Sequence, residues 1–208
     1  MKLSLDRIID AGMTTFLEVG YDGLSMRQVA DRLGVQAGSL YYHVRSKSEL
    51  LRLMADRVAR EAHDAGTGAL EALGPDAGWP ERIEAQAVTL RRVLLRHPGG
   101  AILLAGSPKL LSTGALALME RILTTLDVVG LAPAERGIAA DTLLSYVTGF
   151  VLQEQSAPDA PPITAAQGEA ISRDFPAVVT GATGRYDQDE IFAHSVRLIC
   201  DGIAHRSP

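Results

Sequence analysis

Apolar residues recur every three or four positions along most of this chain, the spacing that places them on one face of an α-helix. The first such run spans residues 4–19, with Ser4 positioned to cap the helix and Gly20 to end it. No segment shows the two-residue alternation of a half-buried strand. The pattern predicts helices over the following segments: 4–19, 25–33, 37–43, 47–63, 80–97, 112–129, 133–155, 164–178 and 188–204. We therefore expect an all-α fold.

Glycine and proline positions divide these helices into two units. Residues 1–46 carry three short helices and form the expected N-terminal domain. Residues 47–63 are expected to form a connecting helix, which leads into a glycine-rich linker over 64–79. The rest of the chain, counted as 64–208, is expected to form a larger helical domain, in which Leu116 faces the core.

The stretch that begins at Ser25 has the pattern of a helix-turn-helix. Ser25, with Gln28 three residues later, has the form of a capping box, which marks the start of a helix. Gly34 can take the left-handed conformation that ends this helix and lets the chain turn into a second one over 37–43. Leu40 is expected to point inward from the second helix.

The other side chains of this second helix are expected to face DNA. A major groove offers hydrogen-bond donors, acceptors and thymine methyl groups, so a helix that reads it needs small or polar side chains near its N-terminus. Flanking groups bind phosphates. We predict that the following residues contact DNA: Arg27, Gln36, Ala37, Gly38, Ser39, Tyr41, Tyr42, His43 and Lys47. In the alternative interpretation, Tyr41 and Tyr42 only pack against the domain and Lys47 is only a solvated charge.

The distribution of charge favours a polyanionic partner, although the whole chain has a net charge of −5. Residues 24–60 hold seven Lys and Arg against three Asp and Glu, whereas residues 61–208 hold eleven against eighteen. Positive charge is therefore concentrated around the helix-turn-helix. Because the excess is modest, we expect specific contacts to matter more than non-specific attraction.

Residues 24–51 resemble the DNA-binding domain of the tetracycline-repressor (TetR) family in the runs Leu-Gly-Val, Ser-Leu-Tyr-Tyr-His-Val and Lys-Ser-Glu-Leu-Leu. The preceding Gly-Tyr-x-Gly-Leu turn has the family's form as well. Further along, residues 95–101 and 149–155 resemble the ligand domain of the tetracycline-repressor subgroup. The resemblance implies a homodimeric, ligand-responsive regulator that binds a palindromic double-stranded DNA operator, as a repressor or alternatively as an activator.

The resemblance also implies how such a protein assembles and responds. In that family, the counterparts of residues 133–155 and 188–204 form a four-helix bundle between subunits. A bound inducer displaces the fourth helix, so that the two reading heads lose their register with adjacent grooves of DNA. We expect the same two helices to form a homodimer here, the alternative being that both are buried within one subunit.

The remaining helices are expected to enclose an inducer. The candidate ligand-binding residues are His63, Leu90, Leu103, Leu104, Met119, Tyr146, Phe150 and Gln153, each of which could instead serve only core packing. Their mostly apolar character predicts a small, largely hydrophobic inducer. Tetracycline repressors hold their drug with a magnesium ion through a histidine and an acid. Residues 103–108 contain no histidine, and Gln153 occupies the position of the acid, so no metal site and no cofactor are predicted.

Other classes of function fit the sequence less well. The chain has no Gly-x-Ser-x-Gly, no His-Glu-x-x-His and no phosphate-binding glycine loop, so we do not expect an enzyme. A helical dimer that uses its head for protein contacts remains an alternative. The single cysteine, Cys200, excludes an intrachain disulfide. No apolar run reaches the roughly 20 residues that span a bilayer, and the N-terminus lacks a signal-peptide pattern, which favours a cytoplasmic protein without a membrane partner.

Overall fold

The computed structural model describes residues 3–106, 112–156, 163–181 and 187–206. The helices in these segments are α1 (Leu5–Gly23), α2 (Met26–Leu33), α3 (Ala37–Tyr41), α4 (Lys47–Leu73), α5 (Trp79–Arg96), α6 (Gly100–Gly106), α7 (Thr113–Leu126), α8 (Pro133–Ser156), α9 (Ala165–Asp174), α10 (Pro176–Gly181) and α11 (Gln188–Ala204). The described segments contain no strand, and the all-α prediction is confirmed. Within the same segments, none of the helices combines the length and the apolar character needed to cross a bilayer.

Helices α1 to α3 form the N-terminal head around a small apolar core. The Ser4 hydroxyl accepts a hydrogen bond from the Arg7 backbone N–H and caps α1, as its position predicted. Gly20 interrupts α1 one turn before its end, because its φ of 71° is not helical. The largest fully buried side chains of this core include Ile8, Leu24, Val29, Leu40 and Val44.

Helix α4 extends to Leu73, well beyond the end near residue 63 that the sequence predicted. The glycines at positions 66 and 68, which suggested a linker, lie inside the helix. The guanidinium of Arg121 lies directly against Gly66, so a Cβ at this position would force the guanidinium to shift. The glycine therefore serves close packing between helices instead of marking a flexible segment, and only residues 74–78 separate α4 from α5.

Helix α4 contributes side chains to two apolar cores. Near its N-terminus, Leu50 and Met54 are fully buried in the core of the head. Further along, Val58 and Ala62 are buried in a larger core that α4 shares with α5, α7, α8 and α11. A single continuous helix thus belongs to both folding units.

The buried face of α7 differs from the predicted one. Leu118 and Ile122 are buried, whereas Leu116 is 42% exposed and Met119 is only partly buried. Both sets of positions follow helical spacing, so the sequence pattern alone did not separate them. The close crossing of α4 decides between them, because a Cβ at Gly114 would lie 2.7 Å from the α4 backbone and α7 must turn this position toward α4.

The segment expected as one helix over 164–178 forms the two short helices α9 and α10. They separate at Phe175, because the following Pro176 cannot donate a backbone hydrogen bond and disfavours helical geometry in the residue before it. Neither helix has a buried residue. The predicted breaks at 106–108, 156–162 and 180–187 lie wholly or partly outside the described residues.

Asp56 of α4 fastens the N-terminus of α7. Its Oδ1 accepts hydrogen bonds from the Gly114 backbone N–H at 2.8 Å and from the Ser112 hydroxyl at 2.9 Å, while Oδ2 accepts one from Arg60 at 2.7 Å. Burial alone would raise the pKa of Asp56, but these hydrogen bonds outweigh burial and lower the pKa. The ionised carboxylate therefore stabilises the folded state.

We expect Asp56→Asn to lower the free energy of unfolding by about 1–2 kcal/mol at pH 7, since a charged hydrogen-bond acceptor is replaced by a neutral one. A carboxylate with a lowered pKa contributes stability above its ordinary pKa of about 4 and loses that contribution as the pH falls further. Urea unfolding of both proteins between pH 7 and pH 3 measures the difference. A difference that grew as the pH fell would contradict this assignment.

Candidate DNA interface and ligand cavity

The helix-turn-helix forms by the local interactions that its sequence predicted. The Ser25 hydroxyl accepts a hydrogen bond from the Gln28 backbone N–H at 3.3 Å and donates one to the Gln28 side chain at 2.8 Å. Gly34 ends α2 in the left-handed conformation, with a φ of 67°. Leu40 is fully buried under α3, so the opposite side of α3 faces outward.

Seven of the nine predicted DNA-contacting residues are exposed and contribute to the surface of the head. They are Arg27, Gln36, Gly38, Ser39, Tyr41, Tyr42 and His43. Tyr42 is 90% exposed, and its ring makes an edge contact with the ring of His43. An aromatic side chain this exposed does not serve the core of the head, which argues against the packing interpretation of Tyr42. We call the exposed surface of these seven residues the reading surface.

Two predicted members of the reading surface are held more closely by the protein. Ala37 is partly buried and packs against the core of the head. The Lys47 ammonium donates a hydrogen bond to the Asp22 backbone carbonyl at 3.2 Å and lies 5.7 Å from the centre of the Tyr21 ring. Lys47 therefore also ties the start of α4 to the end of α1, in addition to any contact with phosphate.

The N-terminus of α4 is closed by protein groups. Ser46 accepts a hydrogen bond from the Glu49 backbone N–H at 3.1 Å, and the Glu49 carboxylate accepts one from the Arg45 backbone N–H at 2.6 Å. In a standard capping box the Glu49 carboxylate would accept from the Ser46 backbone N–H, whereas here it accepts from the preceding residue, Arg45. The Glu49 carboxylate occupies part of the positive end of the helix that a phosphate would use.

The turn before α6 joins the head to the larger domain. A Cβ at Gly99 would overlap the Phe16 ring of α1. From α8, the Gln155 side chain donates a hydrogen bond to the Leu94 carbonyl at 2.9 Å and accepts one from the Gly99 N–H at 3.2 Å. Leu103 of α6 was expected to bind the ligand, but its side chain is buried in the core of the head. Helix α6 is therefore part of both units.

Two of the cavities in the described part of the larger domain share residues of α7 and α8. Cavity A, of about 230 Å³, lies between α6, α7 and α8 and is lined by Leu104, Ala105, Ala115, Leu118, Leu144, Ser145 and Thr148. Cavity B, of about 20 Å³, has room for a single water molecule. It is lined by Ile83, Gln86, Ala87, Leu90, Leu118, Arg121, Ile122, Leu143, Leu144 and Val147. The two cavities share Leu118 and Leu144.

The predicted ligand-binding residues are only partly brought together. Leu104 lines cavity A and Leu90 lines cavity B. Met119 packs against the core without lining either cavity. The His63 side chain approaches Asp64 at 3.3 Å, and its backbone carbonyl, not its ring, accepts a hydrogen bond from Arg121. Of the predicted ligand-binding residues, Leu90 and Leu104 are the ones that line cavity A or cavity B.

Gln153 is exposed and does not face either cavity. Its neighbour Glu154 points inward instead and accepts two hydrogen bonds from Arg91, at 2.6 and 2.8 Å. One residue along a helix corresponds to a rotation of about 100°, so only one of the two positions can face the interior. Asp189 of α11 is a second partner of Arg91. Arg91 thus links α5, α8 and α11.

Tyr146 and Phe150 belong to an aromatic cluster with Phe192. The ring of Tyr146 stacks on Phe192 at 5.5 Å, and the Arg91 guanidinium lies 5.1 Å from the Phe192 ring. Burial raises the pKa of Tyr146, although Ser195 and Arg91 oppose the shift. Both predicted residues therefore serve the contact between α8 and α11 instead of lining cavity A or cavity B. In the described part of the chain, no group of three or more metal-ligating side chains converges.

Sequence reasoning missed Arg121 and Gln86. Both are polar residues within an otherwise apolar lining, and Arg121 follows Leu118 by three residues and precedes Ile122. A charged residue on a predicted buried stripe would have been the signal. Because the core positions expected on α7 were all apolar, Arg121 was not among them.

Comparison with known proteins gives a consistent result along the chain. A model of bacterial regulatory proteins of the tetR family matches residues 8–54, and a model of the tetracyclin repressor-like C-terminal domain matches residues 72–207. The HTH-type transcriptional repressor DrrR1 of Streptomyces coeruleorubidus is 37% identical over 147 residues, which is 71% of this chain and 52% of that protein. The chain therefore spans about half the length of this relative.

Other relatives match over nearly the whole chain. The tetracycline repressor protein class A from transposon 1721 of Escherichia coli is 27% identical over 99% of this chain and 92% of its own length. ActR of Streptomyces coelicolor, in complex with (S)-DNPA, is 26% identical with a TM-score of 0.76, and all of both chains is covered. BioQ bound to a double-stranded DNA operator has a TM-score of 0.70 and 26% identity over 98% of this chain and 99% of its own.

Replacing Tyr42 and Lys47 should separate recognition from stability. We expect Tyr42→Ala to weaken DNA binding with a change of less than about 0.5 kcal/mol in unfolding free energy, because an exposed side chain is removed. Lys47→Ala should weaken DNA binding and also lower stability by about 1 kcal/mol, because its bond to the Asp22 carbonyl is lost. Thermal unfolding and DNA titration of both variants measure the two effects. Equal stability losses in the two proteins would contradict this distinction.

Proposed function

This chain belongs to the TetR family, and we propose that it is a homodimeric repressor that leaves a palindromic operator when a small, largely hydrophobic molecule binds the larger domain. The observation that carries the proposal is the reading surface, which is polar and exposed on a helix whose other side is locked into a core. Seven predicted DNA-contacting residues share this surface. A rigid helix that presents small polar and aromatic groups suits a major groove with phosphates beside it.

A dimer interface is supported by apolar side chains that one subunit leaves exposed. On α8, Ile138 is 67% exposed, although other apolar residues of the same helix are buried. On α11, Leu198 is 70% exposed while Phe192 and Val196 are fully buried. A helix that is apolar on both sides must bury both sides, so we assign the outer sides of α8 and α11 to contact with a second copy. A palindromic operator follows from two-fold symmetry.

Coupling between ligand and DNA is supported by the position of α6. Leu104 of α6 lines cavity A, and Leu103, its neighbour, is buried in the core of the head. A molecule that enlarges cavity A therefore displaces α6, and because Leu103 of α6 is packed in the core of the head, the head has to move with it. It shifts the spacing of the two heads only if it binds the released arrangement more tightly than the DNA-bound one.

Selection of bound duplexes from a random DNA pool at near-physiological salt tests the proposal. We expect a palindromic consensus whose half-sites lie about 34 Å apart. Gln36→Ala should relax preference at one base pair in each half-site, at a cost of about 1–3 kcal/mol there. Tyr42→Ala should weaken binding to all sequences more evenly. No enrichment by folded, dimeric protein would reject the repressor proposal and favour a head that contacts proteins.

Leu198→Glu should disrupt the dimer, because two charges would be buried at the symmetric contact. We expect size-exclusion chromatography with light scattering to show monomers, with the helical content unchanged. Val128→Glu is the matched control, since Val128 is 77% exposed but lies between α7 and α8, outside both interface helices. A Leu198→Glu protein that remained dimeric would exclude this part of α11 from the interface.

A further inference from the structure

Two arginines of the larger domain, Arg91 and Arg121, differ in the groups that surround their guanidinium groups. Arg91 is only 5% exposed and is neutralised by the carboxylates of Glu154 and Asp189, whose hydrogen bonds raise its pKa. Arg121 lies in the same domain, and burial lowers its pKa, with only a long-range opposing effect of Asp64. Arg91 thus has two carboxylates in direct contact, whereas among the described residues Arg121 has none and is opposed only through space by the charge of Asp64.

The partners of Arg121 are all neutral. Its Nε donates a hydrogen bond to the Gln86 side-chain oxygen at 3.1 Å, and Nη1 donates to the His63 carbonyl and, at 3.3 Å, to the Thr67 hydroxyl. Among the described residues, no carboxylate oxygen lies within 4 Å of the guanidinium. Glu71 lines a surface groove together with Arg121 but forms no ion pair with it in this part of the chain.

Two neighbouring residues, Gly66 and Gln86, nevertheless accommodate the Arg121 guanidinium. Gly66 provides the space for it on α4, since any side chain there would displace the guanidinium. Gln86 is 4% exposed, and its amide nitrogen is engaged by the Arg82 carbonyl and the Thr125 hydroxyl, so its oxygen is fixed toward Arg121. A half-buried charge without a directly bound counter-ion is costly. An arrangement that holds it in place at this cost is what an anion-binding site requires.

Arg121 also borders one of the apolar cavities. It lines cavity B, which shares Leu118 and Leu144 with the larger cavity A. A ligand that occupies both cavities has to displace these two leucine side chains. The combined lining is apolar apart from Gln86, Arg121, Ser145 and Thr148.

We propose that Arg121 binds the anionic group of the inducer, and that the inducer is an amphipathic organic acid. Its carboxylate pairs with Arg121 and displaces the water-sized volume of cavity B, and its apolar body lies between Leu118 and Leu144 and extends into cavity A. This assignment rests on the proposed function only in taking the cavities to be the ligand site. It concerns which chemistry the site recognises.

Matched acids and amides provide the test. The probes are 2-naphthoate and decanoate, each compared with its primary amide, titrated calorimetrically into the full-length protein at pH 7.5. A hydrogen-bonded charge is worth about 1.5–3 kcal/mol, so we expect at least one acid to bind about ten- to hundredfold more tightly than its amide. Arg121→Gln should remove that preference while the amide still binds.

Two further variants make the result interpretable. Arg197→Gln removes a guanidinium from an exposed ion pair with Glu84 on the outside of α11, and should leave the preference for acids unchanged. Arg121→Lys keeps the charge and should keep part of the preference, which covers the case in which Arg121→Gln does not fold. The proposal is overturned if neither acid binds better than its amide, including if neither binds, or if Arg121→Lys and Arg121→Gln behave alike. Operator binding is measured separately, so loss of the repressor function and loss of anion recognition give different results.

Discussion

The continuity of α4 is the constraint on which the rest of the structure depends. Its first turns are buried in the head and its later turns are buried in the larger domain, so neither core is complete without it. Asp56 adds a polar contact from the middle of this helix to the N-terminus of α7, one of the helices that line both cavities. A single helix cannot move at one end while both of its surroundings stay fixed. Movement of either unit is therefore transmitted through packing that also holds the protein together.

The turn from His97 to Gly100 gives this arrangement a second connection. Glu61 of α4 accepts a hydrogen bond from Arg96 at 2.6 Å and approaches His97 at 2.7 Å, while Gln155 holds the same turn from α8. The pKa of the Glu61 carboxyl is lowered. Burial would raise it, but the hydrogen bond from His97 and the nearby charges of His97 and Arg96 outweigh burial. The turn is thus held by α4, by α8 and by the Phe16 ring of α1. Helix α8, which carries part of the proposed dimer surface, thus meets α1 and α4, which pack in the head, at one short segment.

Local signals in the sequence predicted local structure well. Ser4, Ser25 and Gly34 each act on their own neighbours in the chain, and each behaves largely as its type and position indicated. Gly66 was misjudged for the opposite reason. A glycine within a helix has the same appearance in a sequence as a glycine in a linker, and its purpose becomes visible only when the side chain that fills its space is known. That side chain lies 55 positions away on α7. The cavity residues were likewise assigned to the correct helices, but the rotation of α7 was set by its crossing with α4.

The single cysteine also has a practical consequence. Cys200 is buried in α11, and burial, helped by the nearby charge of Asp201, raises the pKa of its thiol to about 11. Almost none of the thiol is ionised at neutral pH, and only the ionised form reacts readily. A cysteine introduced at an exposed position of the head can therefore be labelled selectively in the otherwise natural chain. In a two-fold symmetric dimer, one such substitution supplies a pair of spectroscopic labels, whose separation reports the distance between the two heads with and without ligand.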